Sequence, residues 1–196
     1  MNVKLKKNFT FYTGLVYENR HEINVYDVTV YMTTNSMDPE SHNIVYDRMT
    51  YWIDEVLHGS VLIGQDSEKL DAYKATGQRV LVFPQDPVDQ LVGVMLYLKL
   101  TAMVENHMLI TAVHLSSAVG DDVIYIHQAE DASGPMAVDG WWQDPRPAWA
   151  HGKKSRAAGK VIAMDRMPEW SDLDLAWEKQ TEQENSTVVF ADFPKK

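Results

Sequence analysis

Alternating apolar and polar positions predict a long strand hairpin near the start of the chain. Residues Glu22–Thr34, EINVYDVTVYMTT, carry an apolar side chain at nearly every second position, which is typical of a strand with one buried face. The apolar face of that strand would carry Tyr26, Val28, Val30 and Met32. Phe9–Tyr17, FTFYTGLVY, is rich in aromatic and β-branched residues and predicts a preceding strand. The short polar connection between the two strands favours antiparallel pairing.

In the stretch Asn43–Ile63 the apolar residues recur with the period of a helix. We expect the other elements to pack around this stretch. Five apolar side chains recur on one helical face: Met49, Trp52, Ile53, Val56 and Leu57. Asp47 stands where an N-cap is expected, and Gly59 stands where a left-handed residue would end the helix. The preceding Asp38-Pro39 pair is typical of a turn, so we predict a loop there.

A second helix is predicted from residue 86 onward. Asp86 fits the N-cap and Pro87 fits the first helical position. The apolar residues of this helix are Val88, Leu91, Val92, Val94, Met95, Leu96, Tyr97 and Leu98. Because they occupy more than one side, we expect the helix to be covered on several sides, with another subunit as one candidate cover. Two more strands, His107–Ser116 and Asp122–Gln128, follow with a turn between them.

The remaining segments complete a predicted α+β fold. Residues 65–78 are polar and predict a loop or a short exposed helix, and Arg79–Phe83 predicts a short strand. The hairpins and helices together predict a four-stranded antiparallel sheet with two helices inserted between its hairpins. We therefore divide the chain into a flexible N-terminus at residues 1–8, a domain at 9–130 and an extension at 131–196.

The predicted extension is rich in tryptophan and poor in regular periodicity. Five of the six tryptophans lie in it: Trp141, Trp142, Trp149, Trp170 and Trp177. Only Val188–Phe193 has the pattern of a further short strand. Such a segment lacks a core of its own, so we expect it to pack on the domain or on a neighbouring subunit through its tryptophans.

Composition excludes several classes of chemistry. The 196-residue chain has no cysteine, which removes disulfides, thiolate metal sites and cysteine nucleophiles. Its formal net charge of −10 argues against general nucleic-acid binding, and we interpret the basic stretch at residues 151–160 as a solvated loop. We find no apolar run long enough to cross a membrane and no signal-peptide pattern, so a cytoplasmic protein is expected.

Three short motifs carry a resemblance to a known family. Val45-Tyr46-Asp47, an amphipathic stretch and Leu57-His58 resemble the segment between V-M-D-F and L-D-H type motifs in 6-pyruvoyltetrahydropterin and 6-carboxytetrahydropterin synthases. Asp86-Pro87-Val88-Asp89-Gln90-Leu91 is similar to the N-P-T-x-E-N-L type start of the second helix in that family. Ile124-Tyr125-Ile126-His127-Gln128-Ala129 resembles its closing V-x-V-W-E-T strand. The resemblance covers about residues 9–130 and implies the tunnelling fold, in which subunit sheets join into a barrel.

The resemblance also implies which site residues are present and which are missing. His58 matches the catalytic histidine, and Gln128 takes the place of the substrate-anchoring glutamate; Asp89 and His127 lie in the same motifs and are further ligand-binding candidates. The family binds zinc through three histidines, but Leu15, Glu22 and Asn24 fall near those places, and no cysteine can act as nucleophile. We therefore expect no metal and no cofactor.

The assignments of His58 and Gln128 to a site also have simpler structural explanations. His58 could simply complement a helix dipole, and Gln128 could cap backbone groups. His114-Leu115-Ser116 resembles half of a two-histidine phosphoesterase pair, but neither His21 nor His127 begins a second such motif.

Two functions remain open on the sequence alone. In the first, a catalytically degenerate pterin-synthase-like homo-oligomer binds a purine- or pterin-like molecule at a subunit interface. Any activity that remained would be lyase-like, on a pterin or purine derivative. In the second, a non-enzymatic interaction protein holds a partner through its oligomeric scaffold and its tryptophan-rich extension.

Overall fold

A long antiparallel hairpin is the base of the fold. In the computed structural model, which describes residues 3–18, 20–34, 38–147 and 168–177, β1 (Val3–Tyr17) pairs with β2 (Arg20–Thr34) along its whole length. The four predicted core positions of β2 are buried, which confirms the alternation. β1 begins at Val3, inside the N-terminus predicted at residues 1–8, and the alternation of apolar and lysine residues over Val3–Lys6 continues the pattern of the strand.

The sheet has six strands of mixed direction, so the prediction of four antiparallel strands is corrected while the α+β class is confirmed. Its order is β4-β3-β1-β2-β5-β6. β5 (Leu109–Ser117) and β6 (Ile124–Gln128) extend the hairpin with antiparallel pairs. β3 (Val61–Gly64) and β4 (Val80–Phe83) add parallel pairs on the β1 side. β3 was missed because four consecutive buried residues show no alternation.

The two faces of the sheet have different cover. Asn24, Tyr26 and Val28 of β2 lie on the face that packs against the long helices, which we call the covered face. Val25, Asp27 and the other odd-numbered residues of β2 lie on the opposite face, which we call the open face. Among the described elements, only α2 (Leu70–Ala75) packs on the open-face side, where it adjoins β3 and β4.

The first long helix begins earlier than predicted. α1 spans Pro39–Tyr51, and the carboxylate of Asp38 accepts hydrogen bonds from the backbone N–H groups of Glu40 and Ser41. Asp38 is therefore the N-cap, and Asp47 lies inside the helix, so both the predicted cap and the predicted loop are wrong here. The physical reason is that an Asp-Pro pair suits a helix start as well as a turn.

A π-helical segment, Trp52–Leu57, continues α1 to its end. The His58 N–H donates to the carbonyl of Ile53, five residues earlier, and Gly59 has a φ of +71°, as predicted for the residue that ends the helix. The predicted apolar face is confirmed, since each of its five side chains is at most 1% exposed.

The third helix, α3 (Asp89–Val104), is covered mainly by elements of the same chain. It packs against α1, β5, β6 and the 3₁₀ turns Gly134–Ala137 and Trp141–Gln143. The described chain thus supplies the cover for which a second subunit was a candidate. The predicted cap is wrong: Val88 occupies the N-cap position without a side-chain hydrogen bond, and Asp86 precedes the helix.

Lys99 attaches the residues that follow β6 to α3. Its side chain is fully buried, and its Nζ donates to the carbonyls of Trp141 (3.3 Å), Asp144 (2.6 Å) and Arg146 (2.8 Å). Burial lowers the pKa of Lys99 to about 7. The three carbonyl acceptors match the three N–H donors that only the charged ammonium has, so we treat the buried lysine as charged.

Arg48 attaches the last described residues in a similar way. Its guanidinium donates to the carbonyls of Leu175 (2.8 Å) and Met103 (3.0 Å), and it lies against the indole rings of Trp170 and Trp177 at 4.7 and 3.7 Å. The basic stretch at 151–160 and the predicted strand Val188–Phe193 lie outside the described residues. No helix in the described ranges combines the length and apolar character that a membrane span needs.

We expect Lys99→Met to lower the free energy of unfolding by about 2–4 kcal/mol, because methionine fills the space but leaves three carbonyls without their donor. Urea denaturation measures the change. Lys74→Met is the matched control, since Lys74 is exposed on α2. Equal midpoints for the two variants would contradict the role of Lys99.

Candidate functional site

Asp89, at the first position of α3, is the centre of a polar network that we call the Asp89 network. Its carboxylate accepts hydrogen bonds from the Tyr26 hydroxyl (2.9 Å), from the Asn24 amide (3.4 Å) and from the Ser117 hydroxyl. These donors come from β2 and from the end of β5. The network therefore fixes the start of α3 to two neighbouring strands, and the negative charge complements the helix dipole.

Tyr26 is the best buried donor of the Asp89 network. Burial and then the charge of Asp89 raise the pKa of its hydroxyl far above the ordinary value. The hydroxyl therefore stays protonated and donates to Asp89, while its ring stacks on Phe11 at 5.2 Å. With three donors already bound to the carboxylate, Asp89 is held as a structural acceptor in this arrangement.

Three residues at which the resemblance would place zinc-binding histidines, Leu15, Glu22 and Asn24, offer no imidazole. Leu15 pairs with Glu22 across the hairpin and offers only hydrocarbon. Glu22 accepts a hydrogen bond from the Tyr17 hydroxyl at 3.3 Å, and Asn24 donates to Asp89. Within the described residues, no cluster of three or more histidine, aspartate or glutamate side chains could hold a metal ion.

A cavity of about 330 Å³ lies between α3 and β6, and we call it the α3–β6 cavity. Gln90, Gly93 and Val94 line it from the helix, Tyr125 and His127 from the strand, and Asp131 from the segment after β6. Its volume lies within the range of small-molecule sites. Gln90 on the helix and Tyr125 and His127 on the strand can each donate and accept hydrogen bonds, and the carboxylate of Asp131 accepts them.

His127 is the buried polar side chain of the α3–β6 cavity. It is 7% exposed, its ring meets the Tyr97 ring at 4.8 Å, and its Nε2 finds no hydrogen-bond partner among the described residues. Burial lowers the pKa of His127, and the charge of Asp131 opposes that shift. A neutral imidazole at neutral pH can donate or accept through Nε2 according to its tautomer.

The structure does not bring the four predicted site residues together. Gln128 points to the open face, one position after His127, and is exposed; its backbone N–H donates to Asp131 at 2.7 Å. His58 ends the π-helical segment, where its ring meets that of Tyr12 at 4.1 Å. Asp89 lies in its own network, so only His127 lines the α3–β6 cavity.

A second concavity, of about 470 Å³, lies on the open face and was not predicted as a site. Asp27, Tyr31, His114 and Ser116 are among its lining residues, and the rings of Tyr31 and His114 lie 4.5 Å apart. The H-x-S sequence of β5 was the available signal. The chain has a second H-x-S sequence, His58-Gly59-Ser60, but neither His58 nor Ser60 lines this concavity, so the acid and base pair of a phosphoesterase is not formed.

Comparisons with known proteins support the fold and no more. No protein-family model and no curated protein matches the chain. A solved structure of an uncharacterised protein from Wolinella succinogenes is similar, with 12% identity, a TM-score of 0.52 and coverage of 66% of this chain and 99% of that chain. A catalytic-residue mutant of 6-pyruvoyltetrahydropterin synthase from Plasmodium vivax follows with 8% identity, a TM-score of 0.44 and coverage of 65% and 97%. At these identities the likeness concerns the fold alone, and the second match carries no argument.

We expect Asp89→Asn to lower the free energy of unfolding by about 1–3 kcal/mol, because the amide weakens three hydrogen bonds to a charged acceptor and removes the charge at the helix start. Chemical denaturation is the measurement, and Asp86→Asn, an exposed aspartate in the preceding turn, is the control. A midpoint for Asp89→Asn no lower than that of the control would show that the network is not formed.

Proposed function

We propose that this protein binds a small, flat heterocycle of the purine or pterin class in the α3–β6 cavity and does not perform the zinc-dependent reaction of the pterin synthases. The observation that carries this proposal is the buried Nε2 of His127, which has no hydrogen-bond partner in the described part of the chain and lies in the wall of a cavity of suitable volume. Buried polar groups are rarely left without a partner, so a ligand atom that hydrogen-bonds to Nε2 would satisfy it.

The charge and shape of the α3–β6 cavity favour a neutral or cationic ligand. Asp131 adds a carboxylate at the wall, the imidazole of His127 carries little positive charge at neutral pH, and the whole chain is acidic. Phosphate or sulfate groups would meet repulsion there. Tyr125 also lines the cavity and offers an aromatic ring against which a heterocycle can stack.

The zinc-dependent reaction of the pterin synthases needs metal ligands, a cysteine and a general base near the substrate, and this chain does not supply that set. Leu15 removes one metal donor, Glu22 and Asn24 are engaged elsewhere, and the chain has no cysteine. His58 lies against Tyr12 on the open-face side, whereas His127 lies on the covered face. A general base at His58 would therefore not reach a ligand held at His127.

The alternative function, an interaction protein that holds a partner through the C-terminal extension, has weaker support. Trp142 and Trp170 are each 5% exposed and belong to the hydrophobic core of this chain. Their indole N–H groups donate to the carbonyls of Met136 and Pro145. These two tryptophans are thus already used for internal packing rather than offered to a partner.

The proposed site gains a further wall if the protein is a homo-oligomer. β6 and β4 are the edges of the described sheet, and open edges favour pairing with another chain. β6 contributes Tyr125 and His127 to the α3–β6 cavity, so a second copy paired along this edge would border the same cavity. This arrangement would place the ligand beside a subunit interface.

To test ligand binding, we expect pterin or guanine, titrated by calorimetry, to bind the wild-type protein. We expect His127→Phe to weaken that binding by about tenfold or more, which equals about 1.4 kcal/mol, because phenylalanine keeps the ring but removes both nitrogens. His114→Phe, on the open face of β5, should leave affinity unchanged. Binding that is indifferent to His127→Phe would contradict the site. Failure of both probes, together with no heterocycle absorbance in an acid extract of the purified protein, would contradict the function.

To test assembly, we expect sedimentation equilibrium at micromolar concentration to give a closed oligomer for the wild type. Ile124 and Ile126 on the edge strand are 60% and 52% exposed, so lysines there should block edge pairing without disturbing the core. Ile124→Lys combined with Ile126→Lys should give a monomer, while Ile23→Lys, at a 71% exposed position on the inner strand β2, should not. A monomeric wild type would refute the interface.

A further inference from the structure

A row of three buried polar side chains crosses the sheet between β3, β1 and β2. Thr13 pairs with Asn24 across the hairpin. Ser60 lies beside Thr13, because the bonds from Gly59 N to the Tyr12 carbonyl and from Gly14 N to the Ser60 carbonyl bracket it. We call Ser60, Thr13 and Asn24 the polar row.

All three side chains of the polar row point to the covered face. Asn24 shares this face with Tyr26, and Thr13 shares it with Phe11, since alternate residues of a strand point to the same side. Ser60 precedes Val61, which packs on the opposite side with Ile63, whereas Leu62 belongs to the main core. The exposure of each side chain in the row is at most 1%.

Each member of the polar row has a buried oxygen without a hydrogen-bond partner in the described part of the chain. These atoms are the Ser60 Oγ, the Thr13 Oγ1 and the Asn24 Oδ1. The Asn24 amide nitrogen is already directed to Asp89. Leaving buried polar atoms unsatisfied costs about 1–3 kcal/mol for each group, so a run of three in one row requires a physical account.

Strand spacing supplies that account. Paired side chains of neighbouring strands start about 4.8 Å apart, and the three buried oxygens of the polar row make no hydrogen bond to one another. One water molecule making two bonds of about 2.8 Å spans that separation. Buried waters typically make about three bonds to otherwise unsatisfied groups, and hydroxyl and amide oxygens are such groups.

We propose that the polar row binds internal water molecules, one bridging Ser60 and Thr13 and another bridging Thr13 and Asn24. The second of these waters would be connected to the Asp89 network through the Asn24 amide, which donates to Asp89. A metal cation is a poorer occupant, because the carboxylate that binds the Asn24 amide, that of Asp89, already accepts from Tyr26 and Ser117. The proposal is independent of any ligand in the α3–β6 cavity.

The test counts long-lived waters by oxygen-17 magnetic relaxation dispersion in solution. Thr13→Val removes the central hydroxyl and keeps the shape, so the count should fall and the urea midpoint should decrease. Thr33→Val, at an open-face position of β2, is the matched control and should change neither quantity. An unchanged count in Thr13→Val would overturn the proposal. A raised midpoint would do so as well, because removal of a merely unpaired hydroxyl relieves a desolvation penalty.

A second measurement applies if Thr13→Val does not fold. In the wild-type protein, a nuclear Overhauser contact between long-lived water and the Thr13 methyl group is expected. Its absence, with water contacts observed at exposed threonines, would overturn the proposal on its own.

Discussion

The buried charge of Lys99 constrains how several elements of the described chain pack together. α3 is surrounded by apolar side chains, so an ammonium group in its middle must find acceptors or destabilise the helix. Main-chain carbonyls of residues 141, 144 and 146 supply them. Docking this segment brings Trp141 to within 6.3 Å of the Trp52 ring and 6.0 Å of the Phe83 ring. The packing of the π-helical segment, β4 and α3 is therefore linked to one lysine.

Arg48 is a second buried cation, and it binds the last described residues in a similar way. It is 2% exposed, and it combines carbonyl acceptors with the side chain of Glu105 and two indole faces. Burying two unpaired cations would be unfavourable, but each one here is surrounded by acceptors from distant parts of the chain. The described residues after β6, at 129–147 and 168–177, thus contribute to the hydrophobic core, although their helical structure is limited to short 3₁₀ turns.

The local patterns of the sequence predict much of the fold, because alternation and helical period report burial directly. They predict β2 and the buried face that includes Trp52, but they miss β3, whose pairing partner Leu15 lies far away in sequence. They miss Lys99 too, since a lysine is normally assigned to the surface. The only available hint was the apolar character of α3 on several sides.

The candidate site is less predictable than the fold. Asp89 and His127 could be named from short motifs, but the Asp89 network needs Tyr26 and Ser117, which only the sheet topology brings close. The burial of His127 and the exposure of Gln128 follow from the register of β6 against β5. A slip of one residue would exchange them, and no local signal in the sequence determines that register.

The way Lys99 recognises its acceptors has an evolutionary consequence. Main-chain carbonyls are present whatever amino acid occupies a position, so residues 144 and 146 can change identity while the contact with Lys99 survives. A contact of this kind depends on the backbone geometry, so the amino acids at these positions can be replaced during evolution. Proteins that share such an architecture can therefore diverge in sequence until only the fold of the backbone indicates their common origin.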